Sequence, residues 1–206
     1  MKKVLGIIAV TAVVASSAFA QGTLVFASSA SLVRNEAGAA IAAGGGQVQF
    51  AWAALGTAYT PWTPALSASG WLAANPGWTV LGAPAALGTP LAGRFSGGTF
   101  TAATATPGAI IQGVVIGWSG TGANDFLAGY AGALAQGAAG QFGINSTPFT
   151  VQTGNPVAIP PGTAGFIYNS TATPFTGLTL STIPEPTSFA LAGLGAAALL
   201  IFRRRK

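Results

Sequence analysis

The chain predicts an all-β protein: an antiparallel β-sandwich or jelly-roll-like passenger with one short helix, set between two apolar terminal segments. Three observations predict it. Short runs of alternating side chains recur along the middle of the chain, Gly and Pro clusters separate those runs, and only 5% of the residues are charged. Soluble domains carry about 25% charged residues. A chain so poor in charge and 50% hydrophobic is too apolar for a solvated disordered tract and long enough to bury a core.

The elements follow in order. Met1-Lys2-Lys3 precedes an apolar stretch at residues 4–14, and residues 15–20 read Ala-Ser-Ser-Ala-Phe-Ala with small side chains at Ala18 and Ala20. A positive start, an apolar middle and an A-x-A site in that order make a secretory signal peptide, with cleavage by signal peptidase between Ala20 and Gln21. Gly22-Thr23-Leu24-Val25-Phe26 then reads as a first strand. Residues 47–52 alternate, with Val48, Phe50 and Trp52 on one face, and residues 99–105 follow as a further strand. Residues 110–118 place Val114, Ile116 and Trp118 on one side. Phe149 and Val151 alternate with Thr150 and Gln152, and Leu178 and Leu180 with Thr179 and Ser181. Between them stand Gly44-Gly45-Gly46, Asn75-Pro76-Gly77, Gly97-Gly98 and Pro160-Pro161-Gly162, the turn chemistry that a sandwich of short strands requires. One stretch breaks the pattern. Asn124 and Asp125 can cap a helix whose apolar stripe is Phe126, Leu127, Tyr130 and Leu134, although Gly129, Gly132 and Gly137 each weaken it by about 1 kcal/mol relative to Ala. Glycine spacing follows no fixed period, so no solenoid is expected.

The formal net charge of +5 does not imply a nucleic-acid partner. Lys2, Lys3, Arg203, Arg204, Arg205 and Lys206 supply six cations at the two ends. Between Gln21 and Phe202, Arg34 and Arg94 stand against Glu36, Asp125 and Glu185, two cations against three carboxylates and hence −1. No basic stripe for phosphates is present. The chain has neither Cys nor His, which excludes disulfides, thiolate nucleophiles, Cys/His zinc sites and His-based triads.

The carboxyl end is the most specific part of the sequence. Pro184 and Pro186 fix their φ angles and lack amide hydrogens, so the peptide around Glu185 stays extended and outside the helix behind it. Residues 187–202 are uncharged, about 24 Å of helix at 1.5 Å per residue, slightly short of a bilayer core unless flanking residues contribute. The cluster Arg203, Arg204, Arg205 and Lys206 is a cytoplasmic stop that leaves Ile183 outside, in agreement with the signal peptide. The division is therefore a signal peptide at 1–20, a β-rich passenger at 21–182, and a membrane-contacting segment at 183–206 (transmembrane 187–202, basic tail 203–206).

These residues closely resemble the PEP-CTERM sorting signal of exported bacterial proteins. Pro184-Glu185-Pro186, a span carrying Gly193-Leu194-Gly195, and the terminal Arg cluster occur in the family's order over about residues 183–206. The resemblance implies recognition and removal of the tail by an exosortase, with Pro184, Glu185 and Pro186 as the recognition element and this chain as substrate. It implies a precursor anchored in the inner membrane and facing the periplasm, then a place at the cell surface or in an exopolysaccharide matrix. Gly22-Thr23-Leu24-Val25-Phe26, Gly93-Arg94-Phe95-Ser96-Gly97-Gly98, Trp118, and Gly140-Gln141 leading to Phe149-Thr150-Val151-Gln152-Thr153-Gly154 are similar to passengers often found with this tail. A plain anchor that is never cut is the alternative.

Within the passenger the expectation is a non-enzymatic protein without cofactor or metal. Glu36 and Asp125 are the acidic residues of 21–182, and a glycosidase needs two carboxylates at a defined separation. Asp125 reads as a helix cap, and Glu36 as a partner of Arg34 or a solvated loop residue. Trp62, Trp71 and Trp78, close to Trp52 and Tyr59, are the candidate carbohydrate contacts, since exposed aromatic faces stack on sugar rings. Core packing is the competing reading and the favoured one. Asn145-Ser146-Thr147 and Asn169-Ser170-Thr171 are formal glycosylation sequons, read as coincidental in so Ser/Thr-rich a chain.

Overall fold

The computed structural model describes residues 21–168, 173–184 and the single position 194. The expected signal peptide, Glu185 and Pro186, the span at 187–202 apart from Leu194, and the basic tail lie outside the described residues.

Regular structure among the described residues is mostly β. In chain order the strands are β1 (Gly22–Ala27), β2 (Val33–Arg34), β3 (Gly46–Ala54), β4 (Thr79–Ala86), β5 (Ser96–Ala102), β6 (Ile110–Ser119), β7 (Gln141–Ile144), β8 (Phe149–Gln152), β9 (Gly165–Phe166), β10 (Leu178–Thr179) and β11 (Ser181–Thr182). Two helices, α1 (Ala68–Ala74) and α2 (Phe126–Ala135), take the place of the single one expected. The larger sheet runs β11-β7-β6-β3-β4, with β8 also pairing β6, and a smaller sheet runs β5-β1-β9. β2 and β10 form a separate parallel pair.

The antiparallel ladder of β3 and β6, from Gly46↔Ser119 to Ala54↔Ile111, is the spine of the molecule. Alternation along both strands sorts side chains to two different cores. On one face Val48, Phe50, Trp52, Ile111 and Val115 meet Leu24 and Phe26 of β1, and the Phe26 and Phe50 ring centroids lie 5.6 Å apart. On the other face Ala51, Ala53, Val114, Ile116 and Trp118 meet the helices and the Trp-rich segment. The expected groupings Val48/Phe50/Trp52 and Val114/Ile116/Trp118 both hold, on opposite faces of one sheet. Where Phe50 lies against β6, that strand presents Gly113, whose added Cβ would sit 2.5 Å from the Phe50 ring.

The capping expected of Asp125 is present: its Oδ1 accepts from the Ala128 amide at 2.8 Å. The buried stripe of α2 is turned from the predicted one. Phe126, Gly129 and Ala133 are buried, Tyr130 and Leu134 flank them, and Leu127 is 40% exposed. The cause is the close seat of the helix on Trp118, which only glycine at 129 permits. Gln49, buried on the helix-facing side of β3, accepts from the Phe126 amide at 2.9 Å and donates to the Gly82 carbonyl at 2.6 Å. One amide thus ties the helix start to the neighbouring edge strand. The missed helix α1 is capped by Ser67, whose hydroxyl accepts from the Gly70 amide at 3.0 Å.

Candidate functional site: the last strand and the motif it carries

The folded chain hands itself from one sheet to another as it approaches Pro184. Gly177, at φ 122°, turns the backbone where a side chain would meet the Leu32 carbonyl at 2.9 Å. β10 then runs parallel to β2, and the Leu180 amide donates to the Arg34 carbonyl at 2.8 Å. Leu178 and Leu180 fill the core between the two sheets. The chain next crosses to the larger sheet, where Ser181 and Thr182 pair with Phe142 and Gln141 of β7 as an edge strand. The Ile183 amide donates to the Gly140 carbonyl at 3.3 Å, and the Ile183 side chain, 4% exposed, enters the helix-side core. Pro184 is exposed. Among the described residues, Ile183 is thus the last that the fold buries.

Glu36 secures this end. Its Oε2 accepts both from the Thr182 amide at 3.1 Å and from the Thr182 hydroxyl at 2.8 Å. Hydrogen bonding by that hydroxyl and amide stabilises the carboxylate and holds the Glu36 carboxyl below its usual pKa. Of the two expectations for Glu36, a partner of Arg34 or a solvated loop residue, the second fits its exposed turn position, and the Arg34 guanidinium donates instead to the Gly38 carbonyl at 2.8 Å. Sequence proximity favoured Arg34, whereas the Glu36 partner is 146 residues away. No local signal could have found it.

Trp62, Trp71 and Trp78 occupy the helix-side core. Trp71 is fully buried, and Trp78 and Trp62 are 4% and 8% exposed. Tyr59 and Trp78 lie 5.1 Å apart by ring centroid, as Trp62 and Phe142 do at 5.0 Å. Each indole N–H is committed to a backbone carbonyl: Trp62 to Leu66 at 2.7 Å, Trp71 to Thr60 at 3.1 Å, Trp78 to Ala58 at 3.0 Å. Asn75 is the hub of the segment. Its Oδ1 accepts from the Thr60 amide at 2.7 Å, and its Nδ2 donates to the Thr60 and Trp71 carbonyls at 3.1 and 2.9 Å. These rings pack on one another, as the core-packing reading expects, and Trp62 also borders a surface pocket beside Pro64 and Asn145. Burial also pushes the Tyr59 phenol well above its ordinary pKa, and its hydroxyl donates to the Asn145 carbonyl.

Asn145 joins three parts of the fold. Its Oδ1 accepts from the Val115 amide at 2.8 Å, and its Nδ2 donates to the Gly177 carbonyl at 2.8 Å. The two carboxylates of residues 21–182 thus have structural work, Asp125 at a helix start and Glu36 at the last strand. Among the described residues no helix is long and apolar enough to cross a membrane, and the span expected at 187–202 is outside them apart from Leu194.

Residues 182–206 match the family model of the PEP-CTERM protein-sorting motif. The chain carries a PEP-CTERM sorting motif. Comparison with curated proteins and with solved structures gave no match. The PEP-CTERM motif implies an exported protein, a membrane-associated precursor and an exosortase as processing partner. Its first two residues, Thr182 and Ile183, belong structurally to the passenger: one ends β11 and the other is buried. Among the residues expected to form the recognition element, Pro184 is described and exposed, while Glu185 and Pro186 are outside the described residues. Of the expected signal-cleavage residues, Ala18 and Ala20 are also outside them, and Gln21 directly precedes β1.

Proposed function

We propose that this chain is a non-enzymatic passenger of the cell surface or extracellular matrix, exported by a signal peptide cut after Ala20 and sorted by exosortase action at its PEP-CTERM motif. The precursor spans the inner membrane with residues 187–202, keeps Arg203, Arg204, Arg205 and Lys206 inside, and holds the passenger in the periplasm. Pro184, Glu185 and Pro186 form the recognition element. The passenger is a two-sheet sandwich with one sheet face covered by helices, and its role is to be placed rather than to catalyse.

The observation that carries this reading is the exposed Pro184 directly after the buried Ile183. A sorting enzyme meets the motif at the rim of a finished domain, with no intervening linker to search. The structural duties of Glu36 and Asp125 support a non-enzymatic role, because neither carboxylate is left over to pair with the other as acid and base. Contact with exopolysaccharide in the matrix belongs to the same proposal, through surfaces other than Trp62, Trp71 and Trp78.

The deciding experiment is an intact-mass measurement of the protein recovered from the surface of an exosortase-positive cell. Loss of Arg203, Arg204, Arg205 and Lys206 is expected. A mature surface protein that still carries them refutes sorting and leaves a plain anchor.

A further inference from the structure

We infer that Glu36 is a latch that limits where the tail is severed: it holds the last strand in the fold, so no bond before Pro184–Glu185 is open to a processing enzyme. The inference names the position of the modification and rests on the sorting reading above.

Proteolytic and transpeptidase sites take their substrates as extended strands with free backbone amides. Every amide from Leu178 to Ile183 that the fold engages would have to be released first. The Leu178 amide donates to the Leu32 carbonyl at 3.2 Å and the Leu180 amide to the Arg34 carbonyl at 2.8 Å. Ser181 and Thr182 pair with β7. The Ile183 amide is held by Gly140. Leu178, Leu180 and Ile183 are anchored apolar side chains, two in one core and one in the other. A cut at or before Ile183 would expose this apolar surface and open an unpaired sheet edge. Pro184 has no amide hydrogen to give up and is exposed, so it is the first residue after β11 that gives up neither an amide bond nor a buried side chain.

Against this background Glu36 has a distinct role. β11 is two residues long and lies at a sheet edge, the kind of element that frays. The carboxylate adds two bonds to Thr182 from outside the sheet, from a loop 146 residues earlier. Charge-assisted bonds of this type are roughly twice as strong as neutral ones. The latch therefore acts on the one short strand that separates the tail from the core.

The severing step itself is an acyl transfer. The C–N bond between Pro184 and Glu185 breaks, or a bond further along. Its carbonyl carbon passes to an O–H or N–H nucleophile, water included, and that nucleophile's proton goes to the departing nitrogen.

Two measurements test the inference. First, the full chain in detergent micelles is trimmed with proteinase K, and the carboxyl end of the stable product is read by intact mass. The wild type is expected to stop at Pro184 or later. Glu36→Ala is expected to be trimmed back through β11 to about Gly177, at least tenfold faster. Thr182→Val, which removes only the hydroxyl donor, is expected between the two and serves if Glu36→Ala does not fold. Wild-type trimming into residues 178–183 as fast as the tail is lost would overturn the latch, as would variants indistinguishable from wild type. Second, the processed protein from an exosortase-positive cell is expected to end at Pro184 or beyond, and an end at Ile183 or earlier overturns the assigned position. If residues 203–206 persist on the cell, the sorting reading fails instead, and the trimming result alone still decides the latch.

Discussion

Gly129 of α2 lies so close to Trp118 of β6 that a Cβ added at 129 would sit 2.3 Å from the indole ring. The helix is seated directly on the ring, and this contact sets which of its faces turns inward. Gly129→Ala therefore trades a gain of about 1 kcal/mol in helix propensity against overpacking of about 1–3 kcal/mol. The expected result is a net loss of stability in chemical denaturation followed by tryptophan fluorescence. Gly132, which has open space around it, is the control: Gly132→Ala is expected to stabilise by about 0.5–1 kcal/mol.

Asn75 satisfies three groups of the Trp-rich segment while 1% exposed. Asn75→Ala leaves the Thr60 amide without its side-chain acceptor and the Trp71 carbonyl without its Nδ2 donor, while the Trp71 indole still donates to the Thr60 carbonyl, and leaving polar groups unpaired inside the fold costs about 1–3 kcal/mol each. A stability loss of at least about 2 kcal/mol is expected, with Asn75→Asp also destabilising because it has no hydrogen for the two carbonyls.

Trp71→Ala should act as a core deletion, costing about 3–5 kcal/mol in denaturant midpoint experiments. A milder change at the same site, Trp71→Phe, keeps packing while losing the bond to Thr60. Glycan-array binding that vanishes in the Phe variant of a fully folded protein would return the Trp-rich segment to the role of a carbohydrate platform. Unchanged binding, or none in either protein, agrees with its place in the core.

The Glu36 carboxyl is held below its usual value of 4.5 by the Thr182 hydroxyl and amide. A carboxyl with a lowered pKa in the folded state gives stability that is present above the unfolded-state value and is lost as pH falls through the folded-state value. Wild type is thus expected to be more stable than Glu36→Gln near pH 7. The difference should begin to shrink as pH drops below about 4.5 and should be gone at strongly acid pH. A difference that stays constant across that range would mean the carboxylate does not favour its charged form.

The large strands were legible because their alternation is large against small, not apolar against polar. Val48, Phe50 and Trp52 stand out from Gln49, Ala51 and Ala53, although both sets are largely buried. β4 was hidden by Gly82, which weakens a strand pattern, and by Pro84, which a sheet admits at an edge, where β4 lies. α1 was hidden by its neighbours. The aromatic run around Trp62, Trp71 and Trp78 drew the reading toward a surface, yet the run closes on itself over the helix-side face of the large sheet. The sorting motif was fully legible as a string, from Pro184 to Lys206. Its attachment to the fold was not, because the contact that matters joins Glu36 to Thr182 and no periodicity connects residues so far apart.

Asn145 carries a consequence for modification chemistry. It heads a formal sequon, and glycosyl transfer to asparagine requires its side-chain nitrogen to be free to attack. That nitrogen is bonded to the Gly177 carbonyl at 2.8 Å, while the same amide's oxygen supports the Val115 amide on a central strand. A sugar at this nitrogen would displace the turn that leads into the last two strands. The tripeptide is thus an acceptor on paper whose side-chain nitrogen the finished fold already uses as a donor, so a glycan there would compete with the bond that holds Gly177.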